Sequence, residues 1–291
     1  MSILAGKQLR DMVEARRALL VPGVMNALAA RIAADLGFEA LYITGAGVTN
    51  AALGLPDVGL ISPTQMTETI GLIRNITELP LIVDGDTGFG NAINTWHTVR
   101  SFERAGANAI QLEDQVFPKR CGHFEGKAVI PAAEMAEKIR AAAEARVSPD
   151  FLIIARTDSY ATHGLDEAIT RAQMFIDAGA DVTFVEAPRE ISDFRRVIDS
   201  LAVPQLVNMV IGGQTPSVGL SDFRALGVGL VLYANASLQG AILGMQHALA
   251  HLRDHGTLTE QDGLVASFAE RQRLVGMEEF KRMEHRYAVP E

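Results

Sequence analysis

Residues 119–127, Lys119-Arg120-Cys121-Gly122-His123-Phe124-Glu125-Gly126-Lys127, place the one cysteine of the chain among cations and beside a histidine. Cationic neighbours favour the thiolate and glycine lets backbone approach a ligand, so this stretch reads as a reactive loop whose Cys121 could exchange a proton with a carbanion. The competing reading is a buried thiol acting as a small apolar residue. Upstream, Asp84-Gly85-Asp86 and Glu113-Asp114 each follow an apolar run, the pattern of hard oxygen ligands at strand ends. Asp84, Asp86 and Glu113 offer no soft partner, which favours Mg²⁺, with Mn²⁺ as the other candidate. Arg156 can fork onto a carboxylate, and Thr44 with the Gly45 and Ala46 amides can bond further carboxylate oxygens. The set calls for a 2-oxo or 2-hydroxy acid. A metal chelated by its C2 oxygen and C1 carboxylate would stabilise charge developing on oxygen as the adjacent carbon–carbon bond breaks, and Cys121 would protonate the carbanion.

These residues are scattered over the sequence, so the elements that carry them must bring them together. Short, largely apolar runs recur at 19–23, 40–44, 81–84, 109–113, 152–156, 182–186, 205–208 and 229–233. Helical spacing fills the intervals at 26–36, 95–104, 132–146, 165–178 and 221–226, after a leading helix over 1–17. Ala105-Gly106-Ala107 and Ala178-Gly179-Ala180 are repeated helix stops before a strand. Eight runs apolar on both faces, alternating with helices and without a composition break, predict a single α/β domain over 1–291, a (β/α)₈ TIM-type barrel. Residues 258–291 form a C-terminal helical extension, with an apolar stripe over 264–287 (Leu274, Val275, Met277, Phe280) that must be buried somewhere. Thr44, Asp84, Asp86, Glu113, Arg156, Glu186 and Asn208 all fall at or just past the carboxyl ends of the predicted strands, which is the catalytic rim of such a barrel.

Composition bounds the function. The chain has 291 residues, 48% hydrophobic and 21% charged, with a formal net charge of -9. That balance disfavours broad nucleic-acid or anionic-membrane binding, and no run of about 18 apolar residues suggests a membrane helix. A single cysteine precludes an internal disulfide, so a reduced, cytoplasmic setting is expected. Gly85, Gly88 and Gly90 lack the spacing of a dinucleotide fingerprint, so no nucleotide cofactor is expected. His247, His251 and His255 read as a helix stripe, Trp96 as packing and His97 as solvent-facing.

Together, Thr44-Gly45-Ala46-Gly47, Gly54-Leu55-Pro56-Asp57, Asp84-Gly85-Asp86-Thr87-Gly88-Phe89-Gly90, Glu113-Asp114-Gln115, Lys119-Arg120-Cys121-Gly122-His123 and Ala155-Arg156-Thr157-Asp158 resemble the isocitrate lyase and phosphoenolpyruvate mutase superfamily, over nearly the whole chain. The cysteine-bearing loop is similar to that of the lyase branch, which includes 2,3-dimethylmalate and 2-methylisocitrate lyases. The resemblance implies that Asp84 and Asp86 serve the metal, with Asp57 and Glu113 in the surrounding shell. It implies that Tyr42, Thr44, Gly45, Ala46 and Arg156 hold the 2-oxo acid, and that Cys121, Gly122, His123, Glu186 and Asn208 serve the other product. It also implies an eighth helix exchanged between subunits and a homotetramer built from two such dimers, bringing Arg271 near a partner's site. Val210, Ile211 and Gln239 depart from the polar residues of methylisocitrate lyases. The expected activity is therefore Mg²⁺-dependent cleavage of an alkyl-substituted malate, a 2-hydroxy diacid, to a 2-oxo acid such as pyruvate and a carboxylate. The alternatives are a 2-methylisocitrate lyase, an oxaloacetate hydrolase or decarboxylase, a phosphonomutase, or a barrel that binds without catalysis.

Overall fold

The computed structural model of the chain describes residues 2–119, 128–212 and 218–289. Its eight strands are β1 (Leu19–Val24), β2 (Leu41–Ile43), β3 (Leu81–Asp84), β4 (Ala109–Glu113), β5 (Leu152–Thr157), β6 (Val182–Val185), β7 (Leu206–Asn208) and β8 (Leu230–Tyr233). They pair in parallel in the order β6-β5-β4-β3-β2-β1-β8-β7, and a parallel bridge between Thr183 and Gln205 joins the two ends into a barrel. Side-chain contact reinforces that seam, with the Thr183 hydroxyl donating to Gln205 Oε1 at 2.8 Å.

Around the barrel run α1 (Ser2–Glu14), α2 (Ala27–Asp35), α3 (Gly45–Leu53), α4 (Pro63–Arg74), α5 (Ala92–Ala105), α6 (Ala132–Ala145), α7 (Tyr160–His163), α8 (Leu165–Asp177), α9 (Ile191–Ser200) and α10 (Leu220–Leu226). After β8 come α11 (Ala236–His255), α12 (Phe268–Leu274) and α13 (Met277–Tyr287). Both faces of the strands are buried, which is why their sequences read as apolar runs rather than alternations. Val21, Ile82, Ala109, Ile154, Val182, Phe184, Leu206 and Leu230 fill the interior, and Leu9 and Val13 of α1 join that cluster. The outward-facing residues, such as Ile43, Val83, Ile110 and Ile153, pack against Met66, Ile70, Phe102 and Ile139 of the helical layer. Gly106 and Gly179 end α5 and the turn after α8 at φ 110° and 111°, a left-handed conformation costly for any residue with a Cβ.

Two features differ from the sequence expectation. Helices α3 and α4 both lie between β2 and β3, an interval for which the sequence reading named no helix. Thr44 caps α3 by accepting from Gly47 N at 3.3 Å. Ser62 and Gln65 form a reciprocal capping box at the start of α4, behind Pro63 in its first turn. Near the C-terminus the predicted continuous stripe over 264–287 is instead two helices, because Gly276 turns left-handed at φ 75° between them. The stripe residues Val275, Met277 and Phe280 remain 39%, 37% and 54% exposed.

The long helix α11 departs from the usual pattern more strongly. Leu238 is its buried residue, while Leu243, Met245 and Leu249 are 55%, 56% and 63% exposed. Meanwhile the flank of β1 and β8, where a helix following β8 would pack, carries a groove of about 270 Å³ lined by Leu20, Phe38, Phe223, Val231 and Tyr233. It runs into a cleft of about 810 Å³ between α1, α2 and α10. α12 is held back against α2 by Arg273, which forks onto Asp35 at 2.8 and 2.7 Å. His251 and His255 stack at 4.2 Å on α11. Trp96 is half-exposed under the Arg100 guanidinium. No helix among the described residues is long and apolar enough to cross a membrane.

Candidate active site

At the carboxyl ends of the strands a small cavity of about 60 Å³ is lined by Tyr42, Thr44, Ala46, Asp57, Asp84, Glu113, Arg156, Glu186 and Asn208. Most of the predicted set therefore converges, because these residues share the inward phase of their strands or follow directly from them. Asp86 and Gly45 stand immediately behind this wall: Gly45 N donates to Asp84 Oδ2 at 3.1 Å and Asp86 N to Asp84 Oδ1 at 3.1 Å. Cys121, Gly122 and His123 lie outside the described residues. Lining also comes from Lys119 of the predicted reactive loop and from Val210, and further from Gln111, Phe184, Leu232 and Asn235, which had not been assigned to the site from the sequence.

Charge is the dominant feature. Asp57, Asp84, Asp86, Glu113 and Glu186 face two cations, Lys119 and Arg156. The Lys119 ammonium is 4% exposed and sits 2.6 Å from Asp57 Oδ1 and 2.9 Å from Asp86 Oδ1. Burial alone would lower its pKa, but Asp86, Glu113, Asp84 and Asp57 outweigh burial and hold it well above the ordinary lysine value. Asp86 is pushed up to about 7, first by burial and despite the opposing pull of Lys119. Burial likewise raises Glu113 well above the carboxylate range, against Arg156 and Lys119. Asp86 Oδ2 and Glu113 Oε1 are buried with no hydrogen-bond partner among the described residues. Asp86 also adopts φ 46°, a left-handed backbone that Asp tolerates better than most side chains.

Arg156 is more committed than a free carboxylate fork. Its Nε and Nη2 donate to Asp158 at 2.9 and 3.0 Å, so that edge is spent inside the protein. Nη1 lies 3.8 Å from Glu186 Oε2, and the guanidinium rests 5.1 Å over the Phe184 ring. Asp158 and Glu186 together overcome the effect of burial and keep Arg156 well above its ordinary pKa. Asp158 is itself placed by Asp114, which accepts from Asp158 N at 2.9 Å, from Thr157 Oγ1 at 2.7 Å and from Arg171 Nη1 at 3.1 Å. Asp114 thus braces the rim from behind and is not beside Glu113 in the cavity, since adjacent strand residues face opposite ways.

The Gly45 amide is also engaged, by Asp84. A Cβ on Gly45 would stand 3.0 Å from Asp84 Oδ2, a close approach that glycine avoids. Ala46 lines the cavity as the second residue of α3, where a backbone N–H has no intrahelical acceptor. Thr44 is a helix cap whose hydroxyl faces Asn235 Oδ1 at 3.4 Å. Asp57 is an ion-pair partner of Lys119. Glu113 lies 3.5 Å from Arg156 Nε. Of the three substitutions singled out at the far end of the site, Val210 lines the cavity; Ile211 is 54% exposed and Gln239 is on α11. Arg271 stacks on Phe268 of α12.

A rim of acidic residues with an internal arginine and lysine, at the carboxyl end of eight parallel strands, defines a (β/α)₈-barrel enzyme built for a small ligand. The sequence model of the phosphoenolpyruvate phosphomutase family matches residues 9–253. The 2,3-dimethylmalate lyase of Eubacterium barkeri is 39% identical over 97% of this chain and 98% of its own. A 2-methylisocitrate lyase of Aeropyrum pernix is 39% identical over 95% of this chain and 89% of its own. Among solved structures, oxaloacetate acetylhydrolase with 3,3-difluorooxalacetate superposes with a TM-score of 0.91 at 34% identity, over 97% of this chain and 96% of that one. Phosphonopyruvate hydrolase with oxalate and Mg²⁺ gives 0.87 at 30% identity, over 97% and 99%. The chain belongs to the phosphoenolpyruvate mutase/isocitrate lyase superfamily, and within it the chain is a carbon–carbon lyase.

The raised Asp86 pKa carries a stability consequence in the metal-free protein. An unfolded Asp ionises near about 3.9. Between that pH and about 7 the folded protein retains a proton that the unfolded chain has lost, so stability falls as pH rises through this window. Asp86→Asn removes this penalty and keeps a side chain suited to the left-handed backbone. In a chelator, urea unfolding should show the variant more stable than wild type at pH 8, on the order of 2 kcal/mol, and much less so at pH 4. A less stable variant at pH 8 would mean that the Lys119 pairing outweighs burial.

Proposed function

We propose that the protein is a Mg²⁺-dependent lyase that cleaves an alkyl-substituted malate to a 2-oxo acid and a saturated carboxylate. The observation that carries this reading is the surplus of buried carboxylate at the rim, with Asp86 Oδ2 and Glu113 Oε1 lacking donors among the described residues. Such oxygens fit a hard divalent cation, directly or through its waters. Asp84 and Asp86 would hold it, with Glu113 behind them and Mn²⁺ as a substitute. When bound, the cation supplies positive charge beside the C2 oxygen of the ligand. Arg156 Nη1, the Ala46 amide and the Thr44 cap would orient the carboxylate of the 2-oxo acid half, with Tyr42 beside them. Glu186 and Asn208 would face the other half. The C2 hydroxyl proton would pass to a carboxylate of the rim as the C2–C3 bond breaks and its electron pair passes to C3, and Cys121, followed in sequence by Gly122 and His123, would deliver a proton there. Lys119, tied to Asp57 and Asp86, holds two of the carboxylates in place during this change.

Substrate choice follows from Val210 in the cavity wall. Beside it a third carboxylate would be buried without a partner, at a cost of several kcal/mol, whereas each buried methylene contributes about 0.8 kcal/mol. 2,3-Dimethylmalate should therefore show a higher kcat/KM than 2-methylisocitrate when both are assayed by coupled detection of pyruvate. A chelator should abolish the turnover and Mg²⁺ or Mn²⁺ restore it. Including oxaloacetate in the same panel tests the hydrolase reading suggested by the likeness to oxaloacetate acetylhydrolase. A preference for the tricarboxylate, or turnover in metal-stripped protein, would overturn the reading.

Cys121 gives a second test. If it is the general acid, Cys121→Ser should retain its thermal unfolding temperature but lose about two orders of magnitude in kcat. Near wild-type turnover would return the thiol to a packing role.

Assembly extends the proposal. The apolar face of α11 is exposed while the flank of β1 and β8 carries an apolar groove. Exchange of this helix between two barrels would cover both surfaces at once, and pairing of two such dimers would give a homotetramer. Light scattering should report a tetramer, and truncation at residue 235 should give a protein that no longer forms the exchanged dimer. A stable full-length monomer would exclude the exchange.

A further inference from the structure

Gln111 occupies an unusual place for a polar side chain. It is in the middle of β4, 1% exposed, two residues before Glu113 and level in register with Asp84 on one side and Ile154 on the other. Its Oε1 accepts from the Tyr42 hydroxyl at 2.6 Å. Its Nε2 is buried and has no hydrogen-bond partner among the described residues. Both side chains line the rim cavity.

Which end of the amide faces Tyr42 does not change the balance. As placed, the phenol donates to Oε1 and the amide N–H is spare; with the amide turned over, Nε2 donates to the phenol oxygen and the phenol O–H is spare. In either arrangement the pair offers one donor that the protein does not use. The free Glu113 Oε1 does not take it, since both atoms remain without a partner. Donors are scarce at this rim, because the Nε edge of Arg156 is committed to Asp158 and the Gly45 amide to Asp84. A ligand whose oxygens only accept would be the complement of this spare donor, and ionised 2-oxo acids and oxalate are of that kind.

We propose that Gln111 and Tyr42 act as one hydrogen-bond donor that fixes an acceptor oxygen of the 2-oxo acid half, which makes Gln111 a specificity-determining residue. The inference rests on the 2-oxo acid reading given above. Oxalate, planar and doubly charged, is the probe. Its affinity for the Mg²⁺-saturated full-length protein is measured by calorimetry for wild type, Gln111→Met, Tyr42→Phe and the double variant. The double variant, which removes the spare donor in either amide orientation, should bind oxalate about tenfold or more weakly, the scale of a hydrogen bond to a charged group. Each single variant should lose less than the double variant, since Gln111→Met frees the phenol O–H and Tyr42→Phe leaves the amide N–H. Mg²⁺ affinity in the absence of oxalate should be unchanged. The unliganded double variant should unfold at a temperature no lower than wild type, because the unsatisfied buried donor is removed together with both members of the pair. Unchanged oxalate affinity in the double variant, or a loss matched by weaker Mg²⁺ binding and a lower unfolding temperature, would overturn the inference and leave Gln111 a packing residue. Wild type that binds no oxalate with Mg²⁺ present would overturn the 2-oxo acid reading itself, and this inference with it.

Discussion

Carboxylates held out of water at the end of the barrel are the constraint to which the surrounding structure answers. Removing an ionised carboxylate from solvent is expensive unless charge or donors replace the water. Here Lys119 serves Asp57 and Asp86 together, and Arg156 serves Asp158 with Glu113 and Glu186 nearby. Neither cation neutralises its surroundings. Burial, offset only in part by these cations, raises Asp86 and Glu113, and the surplus of buried carboxylate is what the proposed divalent-cation site rests on.

The rigidity of this arrangement comes from the layer behind it. Asp114 collects donors from Thr157, Asp158 and Arg171, so the turn after β5 is fixed from outside the barrel and Asp158 can hold the Arg156 fork. Asp84 performs the corresponding service on the other side, accepting from Gly45 at the head of α3 and from Asp86 in the next loop. Both devices spend polar groups that might have touched a ligand. What they provide in return is preorganisation: the groups that remain, Arg156 Nη1 and the Ala46 amide, project from positions that do not have to be ordered on binding.

Below the rim the barrel is an ordinary close-packed core, with Leu9 and Val13 of α1 packed into its interior cluster. Its open flank is the exception. A barrel helix normally buries one face against the strands, but α11 buries Leu238 and leaves its other large apolar side chains in solvent. Chain connectivity does not require this, because the groove beside β1 and β8 is within the same barrel. The single chain is therefore less self-sufficient at β8 than at the other strands.

The eight strands and the rim were legible in the sequence because burial on both strand faces leaves unbroken apolar runs, and the residue that ends each run must face the loops. That phase alone placed Thr44, Asp84, Glu113, Arg156, Glu186 and Asn208 together. Helices α3 and α4 were less apparent, although Ser62-Pro63 followed by Gln65 is a capping signature, because glycine-rich Gly45-Ala46-Gly47 reads equally well as a loop. Gln111 was hidden inside an apolar run, and its inward phase with Glu113 was the signal. Partnership was not legible at all. That Lys119 would bridge Asp57 and Asp86, that Asp158 would occupy the Arg156 fork, that Asp114 would turn outward to Arg171 and that Gly276 would break the last apolar stripe depend on distances between segments far apart in the chain. Sequence period determines which face a side chain takes, since that is a property of local backbone geometry. Which partner it finds there is decided only when the barrel closes and the burial of each charge has to be balanced by whatever the neighbouring strands present.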